Sequence, residues 1–128
     1  MTFSFENLIV WQRAHQFVLQ VYKSTQNYPQ DERFGLSSQF RRAAVSITAN
    51  IAEGYKKLSK TDKLRFFNIA QGSLEECRNY VILSYDLGYS DKETDEMMRN
   101  SIEEVSKLLN AYCGSIVENK AMNAEQLS

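Results

Sequence analysis

Apolar residues recur at intervals of three and four along four successive segments of the chain, and this spacing predicts four α-helices. The segments cover about residues 7–26, 32–58, 62–87 and 90–119. No segment alternates apolar and polar residues over the length that a β-strand requires. Because only a few residues connect one segment to the next, consecutive helices must fold back on each other. We therefore predict an all-α protein, an antiparallel up-down-up-down four-helix bundle.

The apolar stripe of each segment predicts which residues form the core. The first two stripes are Val10, Trp11, Ala14, Phe17, Val18 and Val21, and then Phe40, Ala44, Ile47, Ile51, Tyr55 and Leu58. The last two are Leu64, Phe67, Ala70, Leu74, Cys77 and Val81, and then Met98, Ile102, Val105, Leu109, Tyr112 and Ile116. The third segment also carries a second apolar line, which predicts contacts on two sides of that helix: Phe66, Ile69, Tyr80 and Leu83.

Residues typical of helix ends separate the later segments. Ser59 or Thr61 is predicted to cap the start of the third helix, since hydroxyl side chains accept hydrogen bonds from the first backbone amides. Gly88 follows that helix, where a left-handed conformation is expected. In the sequence "SDKE" we expect Ser90 to be the N-cap of the fourth helix and to accept a hydrogen bond from the backbone of Glu93.

Chain length, cysteine count and apolar runs limit the remaining possibilities. The 128 residues predict one domain, a bundle over residues 1–120 with a frayed tail over 121–128. One histidine and two widely spaced cysteines provide too few ligands for a metal site, and no cofactor is predicted. No export signal and no apolar run near the ~20 residues that span a bilayer are visible. We therefore expect a cytoplasmic protein with no membrane partner and with reduced cysteines.

The second segment differs in composition from the other three. Its stretch "FRRAAVSITANIAEG" places two arginines at the head of a run of small residues. A polar stripe runs beside the apolar one and consists of Gln39, Arg42, Ser46, Asn50 and Glu53. Small side chains allow neighbouring helices to approach closely, and polar groups enclosed by such packing require partners. We interpret the polar stripe as an assembly surface, with a ligand site as the alternative.

Charge is distributed unevenly along the chain although the formal net charge is only -1. Residues 32–66 contain eight basic and three acidic residues, whereas residues 67–128 contain five basic and eleven acidic residues. Three interpretations are open: a solvated face compensated within the bundle, a phosphate-binding patch for RNA or DNA, and a contact with the acidic fourth helix of another subunit. The candidate nucleic-acid-binding residues are Arg41, Arg42, Lys56, Lys57, Lys60, Lys63 and Arg65.

Several motifs together resemble the four-helix-bundle family encoded in intervening sequences of bacterial 23S ribosomal RNA genes. They are "LIVWQRAHQF", "YPQDERFGLSSQFRRAAVSITANIAEG", "RFFNIAQGSLEE" and "LGY", within about residues 8–89. The resemblance implies a bundle that assembles as a homopentameric ring. A related protein, the accessory variability determinant of diversity-generating retroelements, implies nucleic-acid and reverse-transcriptase binding through a basic surface. Thr48 stands where the family often has proline.

No catalytic arrangement is recognisable in the sequence. His15 is the only histidine, and no glycine-rich phosphate-binding motif occurs. We therefore hypothesise a non-enzymatic homo-oligomeric scaffold that contacts RNA or DNA weakly through a basic belt on the second helix and the turn after it. The alternative hypothesis is a protein-binding adaptor that uses the ring faces or the acidic fourth helix and binds no nucleic acid.

Overall fold

The computed structural model describes residues 4–118, which form four helices. Their bounds are α1, Ile9–Thr25; α2, Leu36–Lys56; α3, Lys60–Asp86; and α4, Lys92–Val117. Short 3₁₀ turns, Phe5–Asn7 and Gln30–Glu32, precede α1 and α2. No strand occurs between residues 4 and 118, so the all-α prediction is confirmed over this part of the chain. The tail predicted over residues 121–128 lies outside the described residues.

Each helix packs against two others. α1 contacts α2 and α4, and α3 likewise contacts α2 and α4. Hydrogen bonds join neighbouring helices along their length. For example, Ser101 of α4 donates to Gln20 of α1 at 3.0 Å, and Gln71 of α3 donates to Asn110 of α4 at 2.8 Å. α2 and α4 consequently lie at opposite corners of the bundle.

The predicted apolar stripes form the core, with one exception. All six stripe residues of α4 are buried, and so are most of those in α1, α2 and α3. Leu58, however, is fully exposed. α2 ends at Lys56, and the extended backbone of Lys57 carries Leu58 away from the apolar stripe. The second apolar line of α3 stays uncovered in part, since Ile69 is 44% exposed and Leu83 is 40% exposed.

Two of the three predicted features of helix ends are confirmed. The Ser59 hydroxyl caps α3 by accepting a hydrogen bond from the backbone of Asp62 at 3.1 Å, and Gly88 has a left-handed φ of 80°. The prediction of Ser90 as the cap of α4 is wrong. Asp91 is the N-cap and accepts from the Thr94 backbone at 2.8 Å, because α4 begins at Lys92 and the cap is the residue directly before the helix.

The small residues of α2 permit one very close approach. Gly54 is buried against α3, and a Cβ atom at this position would lie 2.6 Å from the Phe67 ring and 3.1 Å from the Phe66 Cβ. No side chain larger than hydrogen fits there without a shift of the buried Phe67 ring. The backbone of α2 therefore contacts α3 directly near the C-terminal end of α2.

Candidate functional site

The polar stripe of α2 divides into residues that bind α3 and residues that face solvent. Ser73 of α3 donates to the Ser46 hydroxyl at 2.8 Å, and the Asn50 side-chain amide donates to the same hydroxyl at 3.0 Å. Gln39 lies 3.1 Å from the Tyr80 hydroxyl of α3. Arg42 and Glu53, in contrast, are exposed. Part of the stripe thus joins two helices of the same protomer.

A shallow depression of about 450 Å³ lies over this α2–α3 contact. Its lining includes Arg42, Glu76 and Tyr80. The Tyr80 hydroxyl donates to the Glu76 carboxylate at 2.7 Å, and this hydrogen bond raises the pKa of Tyr80 to about 12. The phenol is therefore protonated at neutral pH. A carboxylate stands on one wall of the depression and an arginine on the other, so the depression as a whole carries little net charge.

Arg41 is turned back onto α1. Its Nε donates to the Thr25 hydroxyl at 2.7 Å, and its guanidinium lies 4.7 Å from the centre of the Tyr22 ring. A terminal nitrogen also lies 3.3 Å from the Tyr22 carbonyl oxygen. These contacts fix the side chain between α1 and α2. Arg41, a candidate nucleic-acid contact in the sequence, thus also holds two helices together.

Among the described residues, the neighbouring Arg42 forms no hydrogen bond, ion pair or ring contact. The side chain is exposed on the first turns of α2, close to Phe34 and Arg33 of the preceding segment. Phe34 is 86% exposed, and the Arg33 guanidinium lies 5.3 Å from the centre of its ring. Sequence reasoning missed Arg33 and Phe34 as site residues. Phe34 belongs to none of the periodic apolar stripes. Its place outside them is the sequence feature that could have identified it as an exposed site residue.

A second group of basic residues lies at the other end of α2. Lys57 and Arg65 contact the Phe66 ring, with distances of 5.0 Å and 4.7 Å from their charged groups to its centre. Arg65 also pairs with Asp62 at 3.8 Å. Lys56 and Lys60 are exposed in the same region. The charges of this group therefore surround one half-buried aromatic ring.

Lys63 belongs to this group in sequence but serves the end of α2. Its ammonium donates to the Tyr55 carbonyl at 2.7 Å and lies 3.4 Å from the Gly54 carbonyl. The last carbonyls of a helix carry partial negative charge, so a cation there is favourable, although the Gly54 carbonyl also accepts from the Lys57 backbone at 3.2 Å. Burial lowers the pKa of Lys63. Its charge is consequently less accessible to a ligand than that of the exposed Lys56.

The basic residues therefore form two separate clusters in place of one continuous belt. The upper cluster contains Arg33, Arg41 and Arg42, and the lower cluster contains Lys56, Lys57, Lys60, Lys63 and Arg65. Fourteen residues separate Arg42 from Lys56, which corresponds to about 21 Å along a helix at 1.5 Å per residue. Glu53 lies one turn of α2 before Lys57, and Glu76 lines the same depression as Arg42.

The acidic residues of α4 do not neutralise α2 within the protomer. Glu103 pairs with Arg78 of α3, and Glu104 pairs with Arg13 of α1 at 3.8 Å. Among residues 4–118, the basic side chains of α2 itself, Arg41, Arg42 and Lys56, form no ion pair. Their position at the corner opposite α4 explains this result. Within the described residues α4 therefore does not compensate the α2 charge through ion pairs, whereas Arg65 of the basic segment does pair with Asp62 of its own protomer.

The groups that most often serve as nucleophile or base are occupied or insulated. His15 is stacked on Trp11, with ring centroids 4.8 Å apart. Burial raises the pKa of the Cys77 thiol and that of the Cys113 thiol, which disfavours the reactive thiolate form. Within residues 4–118, no cluster of three or more His, Cys, Asp and Glu side chains is arranged to hold a metal ion. In the same residues, no helix has the length and apolar character needed to cross a membrane.

Comparisons with known proteins identify the family. Residues 6–111 match the family model of the 23S rRNA-intervening sequence protein. A similar solved structure is that of a protein with unknown function from the S23 ribosomal protein family of Bacteroides thetaiotaomicron VPI-5482. It is 28% identical, with a TM-score of 0.74, over 82% of this chain and 98% of that chain. No curated protein matches the sequence. The chain belongs to the 23S rRNA-intervening sequence protein family.

Proposed function

We propose that the protein is a non-enzymatic, cytoplasmic, ring-shaped homo-oligomer, a pentamer by analogy with its family, that serves as a scaffold and contacts RNA or DNA through the two basic clusters of α2. The observation that carries the proposal is that, among residues 4–118, Arg41, Arg42 and Lys56 form no ion pair, while Glu103 and Glu104 of α4 pair with arginines of α3 and α1. Positive charge on this side of the protomer is thereby left for a partner with phosphate groups.

The proposal includes the antiparallel up-down-up-down topology. Side-chain contacts between α2 and α3 support it, because residue numbers fall along one helix as they rise along the other. Gln39 meets Tyr80, Ser46 meets Ser73, and the α2 end at Tyr55 meets Lys63. Contacts between α3 and α4 follow the same order, from Gln71 with Asn110 to Arg78 with Glu103.

The outer face of α3, which we define by Ile69, Gly72 and Leu83, supports assembly from copies of the chain. Ile69 and Leu83 expose large apolar side chains. Gly72 costs the helix about 1 kcal/mol relative to alanine. Apart from the neighbouring backbone of α3, nothing in residues 4–118 lies within 4 Å of the Cβ that an alanine would add there. A close approach by another subunit is a reason for glycine at this position that the protomer itself does not provide.

Assembly is tested by replacing Ile69→Glu and Leu83→Glu together. We expect the wild-type protein to scatter light as a particle of five times the 14.8 kDa chain mass and the variant as one chain. Ile82→Glu is the matched control, since Ile82 is 38% exposed but lies on a different side of α3. A wild-type monomer at micromolar concentration would contradict the assembly.

Nucleic-acid contact is tested by replacing Arg42→Glu and Lys56→Glu together. Both side chains are exposed, so the fold should survive, whereas Arg41 is unsuitable because it also joins α1 to α2. We expect binding to be lost in an anisotropy titration at about 50 mM salt. The control Lys92→Glu with Lys107→Glu makes the same charge change on α4 and should retain binding. If the native protein instead recovers only nuclease-resistant protein partners, the adaptor function replaces this proposal.

A further inference from the structure

Phe34 occupies an unusual position for a large apolar side chain. It lies just before α2 and is 86% exposed, although burial of such a ring is worth about 1.5–3 kcal/mol. Arg33 covers the ring only at a distance of 5.3 Å, and the high exposure leaves a face of the ring open. Phe66 in the lower cluster differs, because it is half-buried and two cations lie against it.

Phe34 forms one wall of a groove whose charged lining residues are all arginines. The groove, which we call the Phe34 groove, has a volume of about 570 Å³ and lies between the end of α1 and the start of α2. Arg33, Arg41 and Arg42 line it, and no Asp or Glu among the described residues belongs to its lining. The nearby Glu32 carboxylate is held elsewhere, since it accepts hydrogen bonds from the Leu36 backbone and from the Tyr89 hydroxyl.

The arginines of the Phe34 groove have different freedom. Arg41 is fixed by its hydrogen bonds to Thr25 and Tyr22, so its positive charge is held in place without conformational cost on binding. Arg42 is exposed and has no hydrogen-bond or ion-pair partner among residues 4–118, so its side chain can move to contact an anionic group. The hydroxyl-bearing Ser37 and Ser38 complete this side of the groove as neutral hydrogen-bond donors.

The ligand that fits these features has a flat aromatic face and a neighbouring phosphate. An unpaired nucleotide has both, because its base stacks on an aromatic ring while arginine binds its phosphate. A duplex offers phosphates, but its bases are already stacked on each other. The depression on the other side of Phe34 contains Glu76, whose charge repels phosphate. A nucleic-acid strand is therefore expected to bind on the side of Phe34 that faces the Phe34 groove.

We propose that the Phe34 groove is a binding site for unpaired nucleotides of single-stranded RNA or DNA, in which a base stacks on Phe34 and arginines hold the adjacent phosphate. The site rests on the proposed nucleic-acid contact and makes it specific, since the groove selects single strands over duplex. The lower cluster contributes charge and little selectivity.

The experiment compares labelled oligouridine of about 12 nucleotides with a duplex of equal length on the full chain at about 50 mM salt. We expect Phe34→Ala to weaken binding of the single strand between about fivefold and a hundredfold, the range that one base–aromatic stack provides. Duplex binding should change less than twofold. Phe34→Trp should retain the affinity, and its indole fluorescence should be quenched when the single strand binds.

A matched control is Leu58→Ala, which removes a fully exposed apolar side chain beside the lower cluster and should leave the affinity unchanged. If wild-type protein binds neither probe, the proposed nucleic-acid contact and the Phe34 site both fail. If it binds both probes and Phe34→Ala behaves as wild type, only the Phe34 site fails. Equal loss of duplex and single-strand binding would also overturn the stacking role, and so would binding of an acidic peptide in preference to either probe.

Discussion

At the scale of single residues, two helical glycines have opposite surroundings. Gly54 in α2 lies against the buried Phe67 ring, where a Cβ would come within 2.6 Å of a ring atom. Gly72 in α3 has, in the described part of the chain and apart from its own helix backbone, no neighbour within 4 Å of such a Cβ. Glycine therefore occurs at the two positions for different physical reasons. Packing within the protomer requires glycine at position 54 but not at position 72.

Replacing each glycine by alanine separates the two cases. Alanine should stabilise either helix by about 1 kcal/mol through propensity alone. At Gly54 overpacking opposes this gain by about 1–3 kcal/mol, so in the dissociated protomer, where no second subunit lies against Gly72, Gly54→Ala should be less stable than Gly72→Ala by roughly that amount. Urea denaturation, compared at equal protein concentration, measures the difference. Equal stability of the two variants would show that the Phe67 ring moves aside without cost.

At the scale of helices, the ends of α2 and α4 show what sequence reasoning resolves and what it does not. The periodicity predicted four helices, and the glycine after α3 was assigned correctly because only its φ of 80° matters there. Ser90 was predicted as the cap of α4 where Asp91 is the cap, because both side chains can accept hydrogen bonds from a helix start and the sequence does not fix the first residue of the helix. The exposed position of Leu58 was missed because α2 ends two residues earlier than the apolar period.

The candidate site was predictable in composition but not in arrangement. The excess of basic residues around α2 is visible in the sequence. Which of these basic side chains can still bind a ligand depends on which of them already donate hydrogen bonds to acceptors within the protomer. Arg41 reaches Thr25, which is sixteen residues away, and Lys63 reaches the carbonyls at the end of α2. No local pattern encodes these choices, so one belt was expected where two clusters lie.

The Asp91 side chain, which caps α4, is expected to make the stability of the protein depend on pH. The hydrogen bond from the Thr94 backbone lowers the pKa of Asp91 below its ordinary value of 3.8. A carboxylate whose pKa is lowered by folding stabilises the protein above its unfolded pKa, and this stability is lost as the pH falls through the folded value. Asp91→Asn should therefore melt at a lower temperature than wild type at pH 7, and the two should converge below about pH 4. Ser90→Ala should match wild type throughout, and a constant gap for Asp91→Asn would contradict the assignment.

At the scale of the whole molecule, the proposed assembly and the proposed nucleic-acid contact depend on different forces. The outer face of α3 is apolar, whereas the α2 clusters are charged. Salt screens charges but does not weaken apolar contacts. Two functions on one protomer can therefore be separated by ionic strength alone.

We expect the mass of the assembly to stay constant between about 0.05 and 1 M salt, while affinity for single strands falls with a log–log slope of about -0.7 per phosphate contacted. Light scattering and anisotropy on the same samples measure both quantities. Dissociation of the assembly at high salt would show that α2 of one subunit meets α4 of the next. In that case the basic clusters are enclosed between subunits, and the proposed nucleic-acid contact loses its surface.

The opposite corners of α2 and α4 give the protomer an electric dipole across the bundle, although its formal net charge is only -1. In the field of a polyanion, a single protomer with such a dipole turns its cationic corner forward. In the proposed ring, rotational symmetry cancels the components of these dipoles across the axis, so only the axial component orients the assembly. Under the proposed nucleic-acid contact, α4 of each protomer lies at the corner away from the bound strand.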